Sequence, residues 1–152
     1  MKRLDKIDLE ILKQLQKDAS ISLEEIAKNV NSSKTPVWNR IKKLKKYGFI
    51  IQNTVILDQN LLGFEACFFV LIRTNAHGSK WHKSFLKALM KRSEVQEAHR
   101  LAGDVDYILK VRVKNVKGYD HFYQKLIEDI KIHNVTSLLS MEEIKYTSSL
   151  PL

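Results

Sequence analysis

The sequence predicts an α+β chain in two parts, and three observations carry that expectation. Apolar stripes at helical spacing recur three times before residue 50, led by Ile7, Leu23 and Val37. From residue 63 the pattern changes to strand, helix, strand, strand, helix, strand. Between the two lies a β-branched and polar stretch, residues 51–62, that reads as a wing or linker.

In the first part, Asp5 is placed to cap a helix whose stripe of Ile7, Ile11, Leu12 and Leu15 carries it to about Lys17. Asp18-Ala19-Ser20 then breaks the pattern. Ser22-Leu23-Glu24-Glu25 has the spacing of a capping box, with Ser22 accepting from the Glu25 amide and the Glu25 side chain reaching back. A short second helix follows, burying Leu23, Ile26, Ala27 and Val30, and Asn31-Ser32-Ser33 makes a tight turn into a third. Ser33 is placed to cap that helix through its hydroxyl, and Pro36 falls early enough to lose no helical bond. Gly48 ends it as a left-handed cap.

The third helix has an apolar stripe of Val37, Ile41 and Leu44 and otherwise carries Lys34, Arg40, Lys42, Lys43, Lys45 and Lys46 with no acid. Lysine-rich helix faces are often only solvated. Here the basic helix follows a short capped helix through a tight turn, which is the helix-turn-helix arrangement, and duplex DNA becomes the expected partner. The whole chain points the same way, with 26 Lys+Arg against 17 Asp+Glu and a formal charge of +9. Direction along the helix assigns roles. Ser33, Lys34, Thr35, Trp38 and Asn39 near its start face base edges, while Arg40, Lys42 and Lys43 suit phosphates. Trp38 has a second reading, packing on the first helix. Phe49–Leu57 reads as a small wing hairpin or as the first strand of the linker. Residues 1–50 thus form a winged helix-turn-helix domain, 51–62 the wing or linker, and 63–152 a second domain.

That second domain opens with a strand, Phe64–Ile72, apolar on both faces. Phe64, Ala66, Phe68, Val70 and Ile72 can pack under helices, whereas Cys67, Phe69 and Leu71 need another cover. Trp81, Phe85, Ala88 and Leu89 mark a helix over about Lys80–Lys91, followed by strands Val95–Leu101 and Tyr107–Val113 around a Gly103–Asp106 turn. Tyr119, Phe122, Tyr123, Leu126, Ile127 and Ile130 mark the last helix, and a final strand spans about Val135–Tyr146. This order is the ferredoxin-like βαββαβ arrangement, with both helices on one face. The uncovered face predicts pairing with a second copy, which would space two recognition helices along one duplex.

Cys67 is the single cysteine, so neither a disulfide framework nor a thiolate cluster is expected. His77, His82, His99, His121 and His133 form no close pair at ligand spacing, and no metal or cofactor is expected. Asp104 and Asp106 invite comparison with a two-metal palm, but such a site needs a further carboxylate from the first strand, which offers only Glu65. No catalysis is expected. No apolar stretch approaches membrane-spanning length, MKRLDKIDLEILKQLQ does not read as a secretory leader, and the expected location is the cytoplasm.

Taken in order, Leu4-Asp5-Lys6-Ile7-Asp8, Pro36-Val37, Arg40-Ile41-Lys42-Lys43-Leu44, Gly48-Phe49-Ile50, Ala102-Gly103-Asp104-Val105-Asp106-Tyr107 and Glu143–Pro151 resemble the Lrp/AsnC (leucine-responsive, feast/famine) regulators over nearly the whole chain. The resemblance implies a DNA-binding transcription regulator, dimeric through its C-terminal sheet and able to assemble to octamers. It implies a small amino-acid effector held between dimers, with Leu101, Gly103, Asp104, Asp106, Tyr107, Thr136 and Ser137 as effector residues by position. A carboxylate at Asp104 or Asp106 suits an α-ammonium, and amides around Gly103 suit an α-carboxylate. The alternative is a ligand-independent architectural protein that bridges DNA. Two departures bear on this. Ala102 stands where many relatives carry Thr, and Lys34-Thr35 stands where Pro-Ser or Pro-Thr is frequent. The closing SMEEIKYTSSLP looks like a subgroup feature.

Overall fold

The computed structural model describes residues 3–76 and 78–152; His77, one of the histidines weighed for a metal, lies outside them. Two compact units emerge, one running to Ile56 and taking in Lys145–Leu152, the other spanning Leu57–Ile144. By contacts the last eight residues group with the N-terminal unit.

The first unit holds α1 (Lys6–Lys17), α2 (Leu23–Asn29) and α3 (Lys34–Lys46) around fully buried Ile11, Ile26, Ala27, Val37 and Leu44. Asp5 caps α1 in a complete capping box with Asp8. Ser22 accepts from the Glu25 amide as anticipated, but α2 shows no return bond from the Glu25 side chain, so the box is half made. Ser33 occupies the N-cap of α3 but makes no side-chain capping bond, a correction to the reading of its hydroxyl. Both turns end in the same device. After α2, Asn31 adopts a left-handed φ of 49° while the Ser32 amide reaches back to the Ala27 carbonyl at 2.8 Å. After α3, Gly48 adopts φ 78° and the Phe49 amide reaches the Leu44 carbonyl at 3.0 Å. These are Schellman closures, and they fix where α2 and α3 stop.

The second unit holds β1 (Ala66–Arg73), α4 (Ser79–Met90), β2 (Val95–Arg100), β3 (Tyr107–Val113), α5 (Val116–Asp129) and β4 (Asn134–Leu139). The sheet order is β2-β3-β1-β4 and every pairing is antiparallel. Phe68, Val70, Ile72, Leu109 and Val111 pack beneath Phe85, Phe122 and Leu126, so both helices cover one face. The other face carries Phe69, Leu71, Ile108 and Leu138. Two sequence readings shift here. Residues 51–58 form no strand, because their β-branched side chains find no strand partner among the described residues, and Ile51 and Val55 are 91% and 78% exposed. The final strand ends at Leu139 instead of Tyr146, since its partner β1 offers no further ladder beyond the Ser140 amide on the Cys67 carbonyl.

Valine cannot adopt the left-handed backbone of Asn31 without steric conflict. Asn31→Val is expected to lower unfolding stability by about 1–2 kcal/mol, whereas Asn31→Gly leaves it within a few tenths, measured by urea denaturation followed by circular dichroism.

Candidate nucleic-acid interface and effector cavity

The side of α3 opposite Val37 and Leu44 presents Thr35, Trp38, Asn39, Lys42 and Lys43, all exposed. Trp38 is 46% exposed and lies outside the buried cluster, so packing on α1 is not its role. Lys42 Nζ sits 4.1 Å above the Trp38 ring, a cation–π contact that presents the two as one surface. Lys34 is ion-paired with Glu24 of α2.

Arg40 departs from its assigned role. Its Nη1 donates to Asp5 Oδ2 at 2.6 Å and to Asp8 Oδ1 at 2.7 Å. The other oxygens of these carboxylates close the capping box: the Asp8 amide donates to Asp5 Oδ1 at 2.8 Å, and the Asp5 amide to Asp8 Oδ2 at 3.3 Å. Four bonds thus form a ring joining the start of α1 to the middle of α3. The two aspartate bonds raise the Arg40 pKa, and the Asp5 carboxyl is held low by the Asp8 amide and then by Arg40. The guanidinium assigned to phosphates is engaged on α1 through Nη1. Beside the ring, Arg3, Asn39, Lys43 and Tyr47 line a groove of about 570 Å³.

In the second unit, the Leu101–Asp106 turn is pinned to the end of β1. The Asp106 amide donates to the Ile72 carbonyl at 3.0 Å, the Thr74 amide to Asp106 Oδ2 at 2.7 Å, and Arg73 Nε to the Asp104 carbonyl at 2.9 Å. Gly103 holds a φ of +148°, which disfavours any side chain. Alongside the turn lies a cavity of about 220 Å³ lined by Thr74, Ser79, Trp81, Arg100, Asp106 and the His82–Tyr107 pair, whose Nδ1 and hydroxyl are 2.9 Å apart. It brings a cation, a carboxylate and hydroxyl groups around an aromatic wall.

Of the effector residues carried over by position, Asp106 and Tyr107 line this cavity, while Leu101, Gly103 and Asp104 are exposed on the turn. Thr136 and Ser137 do not join them. They sit on β4, separated from β3 by β1, and as neighbours on one strand they point to opposite faces. Ser137 is bonded to the Tyr119 hydroxyl, whose pKa burial raises. The sequence reading missed Thr74, Ser79, Trp81, His82 and Arg100. A small-residue helix start, Gly78-Ser79, directly after a strand was the available signal.

Comparison with known proteins agrees with this architecture. A family model for a winged helix-turn-helix DNA-binding domain matches residues 4–51, and the Lrp/AsnC ligand binding domain matches residues 67–150. The chain is 41% identical over 150 residues to the DNA-binding transcriptional activator DecR of Escherichia coli K12, covering 98% of this chain and 99% of that one. It is 35% identical over 150 residues to the leucine-responsive regulatory protein of the same organism, covering 98% and 92%. Among solved structures, an AsnC family transcriptional regulator from Agrobacterium tumefaciens superposes with a TM-score of 0.94 at 40% identity, covering 97% of each chain. A transcriptional regulator from Neisseria meningitidis in complex with L-Met superposes with a TM-score of 0.93 at 26% identity, covering 98% and 97%.

The ring and the lysines are separable by salt. Lys42→Ala is expected to reduce the slope of log affinity against log salt by about 1, as for a lost phosphate contact. Arg40→Met weakens DNA binding at unchanged slope. Asp5→Asn weakens binding as well, although it removes a negative charge; tighter binding by that variant in a fluorescence-anisotropy titration contradicts the ring. A carboxyl held low contributes stability above its unfolded pKa. The Asp5 contribution is therefore lost as pH falls through the ordinary aspartate range and below, and a melting temperature flat across that range in wild type but matched by Asp5→Asn speaks against it.

Proposed function

The chain belongs to the Lrp/AsnC family of DNA-binding transcription regulators, and we propose that a small amino acid bound in its C-terminal unit modulates its hold on DNA. It is a regulator, not an enzyme. The observation that carries the effector reading is the cavity beside the Asp106 turn, where Arg100 and Asp106 offer opposite charges to the two ends of a zwitterion. Its volume suits a small amino acid. The L-Met held by the Neisseria regulator, of the same fold, supports the class.

Self-association belongs to the same proposal. The open sheet face carries half-buried Phe69, Leu71 and Ile108 and exposed Leu138 beside Lys110, Arg112 and Glu143, and a second copy of the sheet covers such a face with self-complementary charges. A dimer, or an octamer built from dimers, then sets the distance between recognition helices, and the effector acts by changing that distance. Such a protein works in the cytoplasm, where the DNA is; among the described residues no helix is long and apolar enough to cross a membrane.

Thermal shift against the common amino acids tests the effector. A ligand at a hundred times its Kd adds about 2.7 kcal/mol to the folded state, which raises the melting temperature by several degrees. Arg100→Met removes that shift while leaving DNA binding in place. A shift that survives Arg100→Met moves the site elsewhere, and no shift with any amino acid favours a ligand-independent DNA-bridging protein. Genome-wide footprinting with and without the active amino acid then identifies the operators.

A further inference from the structure

Beyond β4 the chain runs through Ser140–Pro151, and it is held at two places. Near its start, the Ser140 amide donates to the Cys67 carbonyl at 2.8 Å. The Glu143 carboxylate lies 3.4 Å from Arg112 and 3.7 Å from Lys110, both almost buried on the open sheet face. These contacts are internal to the second unit. Further on, Lys145–Leu152 packs within the first unit, and Gln16 of α1 grips it. Gln16 Nε2 donates to the Leu150 carbonyl at 2.8 Å, and Gln16 Oε1 accepts from the Leu150 amide at 3.0 Å. Ser149 Oγ adds a bond to the Gln16 carbonyl at 3.2 Å. A carboxamide that engages both backbone groups of one residue fixes it in two directions.

We infer that residues 145–152 are a working part of the DNA-reading unit, and that Gln16 is the positioning residue through which the C-terminal unit acts on the recognition helix. The route runs along the chain between named contacts. Glu143 ties the segment to Lys110 and Arg112; Leu150 ties it to Gln16 at the end of α1; Asp5 and Asp8, at the start of the same helix, hold Arg40 of α3. Between the anchors residues 144–148 intervene, and Ile144 is 90% exposed. The grip on Leu150 is made of solvent-exposed hydrogen bonds, each weak in net terms, so attached and detached states differ by an amount that ligand binding can shift.

The regulatory half of this inference rests on the proposed effector, yet linkage permits a test without one: if the C-terminal unit reports to the reader, DNA must report back. The probe is the duplex with the strongest wild-type footprint, and the readouts are hydrogen exchange in the full chain and operator affinity. In wild type the duplex is expected to slow exchange at the Leu150 and Ser140 amides. In Gln16→Ala, with its circular dichroism unchanged, the Leu150 amide exchanges rapidly, the duplex no longer alters Ser140, and operator affinity falls by about fivefold or more. Gln16→Glu keeps the acceptor for the Leu150 amide and is intermediate, and termination at Lys145 reproduces Gln16→Ala.

An amino acid found by thermal shift still raises the melting temperature of Gln16→Ala but no longer changes its operator affinity. If no amino acid shifts the wild type, the effector reading fails while the duplex experiment still decides this one. Wild-type affinity in both Gln16→Ala and the truncated chain, or an unaltered response of Ser140 to DNA in them, overturns the inference.

Discussion

Everything the N-terminal unit does depends on the angle at which α3 is held. Five buried side chains, with nine partly buried ones packed against them, stabilise three helices, and the apolar attraction between them is itself non-directional. The ring of Asp5, Asp8 and Arg40 supplies the missing direction, because each of its four bonds has a preferred geometry and the carboxylates are already fixed by capping α1. Its energetic contribution at a partly exposed site is modest. What it adds is orientation.

The ring also changes how the basic helix meets DNA. With Arg40 engaged and Lys34 paired to Glu24, the cations left facing outward on α3 include Lys42, Lys43, Lys45 and Lys46. Lysine is a mobile point charge, suited to phosphates and poor at bidentate recognition of a base. On the proposed reading, affinity and sequence choice fall to different residues, the lysines giving the first and Thr35, Trp38 and Asn39 the second. Lys42 stacked over Trp38 joins the two groups.

The elements legible in the sequence were those determined by neighbours a few residues away. The α1 stripe and its Asp5 cap, the Gly48 closure of α3 and the bounds of β3 follow from periodicity, capping and turn chemistry, and they stand in the structure as read. The misread features depend on partners far along the chain. Arg40 is 32 and 35 residues from the aspartates it binds, and Gln16 is 134 from Leu150, distances at which no local pattern speaks. The separation of Thr136 from Ser137 is different in kind: alternation along a strand already puts neighbours on opposite faces of the sheet. Trp38 was undecidable locally, because a tryptophan on the flank of a stripe serves a core or a surface equally well.

The two units place opposite demands on the same chain, and the pattern of anchoring follows from that. A reader must be rigid to discriminate sequences, which the ring and the two Schellman closures provide. A responsive unit must instead have contacts that a small ligand can outweigh, and polar ones are found in the Asp106–Thr74 pin beside the cavity and the Glu143 ion pairs, while the Gln16 grip holds the last residues in the first unit. A buried apolar seam in any of these positions would be stronger and for that reason unswitchable, since a ligand shifts an equilibrium only by its differential affinity for the two states. Weak polar fastening between strongly built parts is thus the arrangement that lets a metabolite-sized binding energy reach a DNA-sized readout.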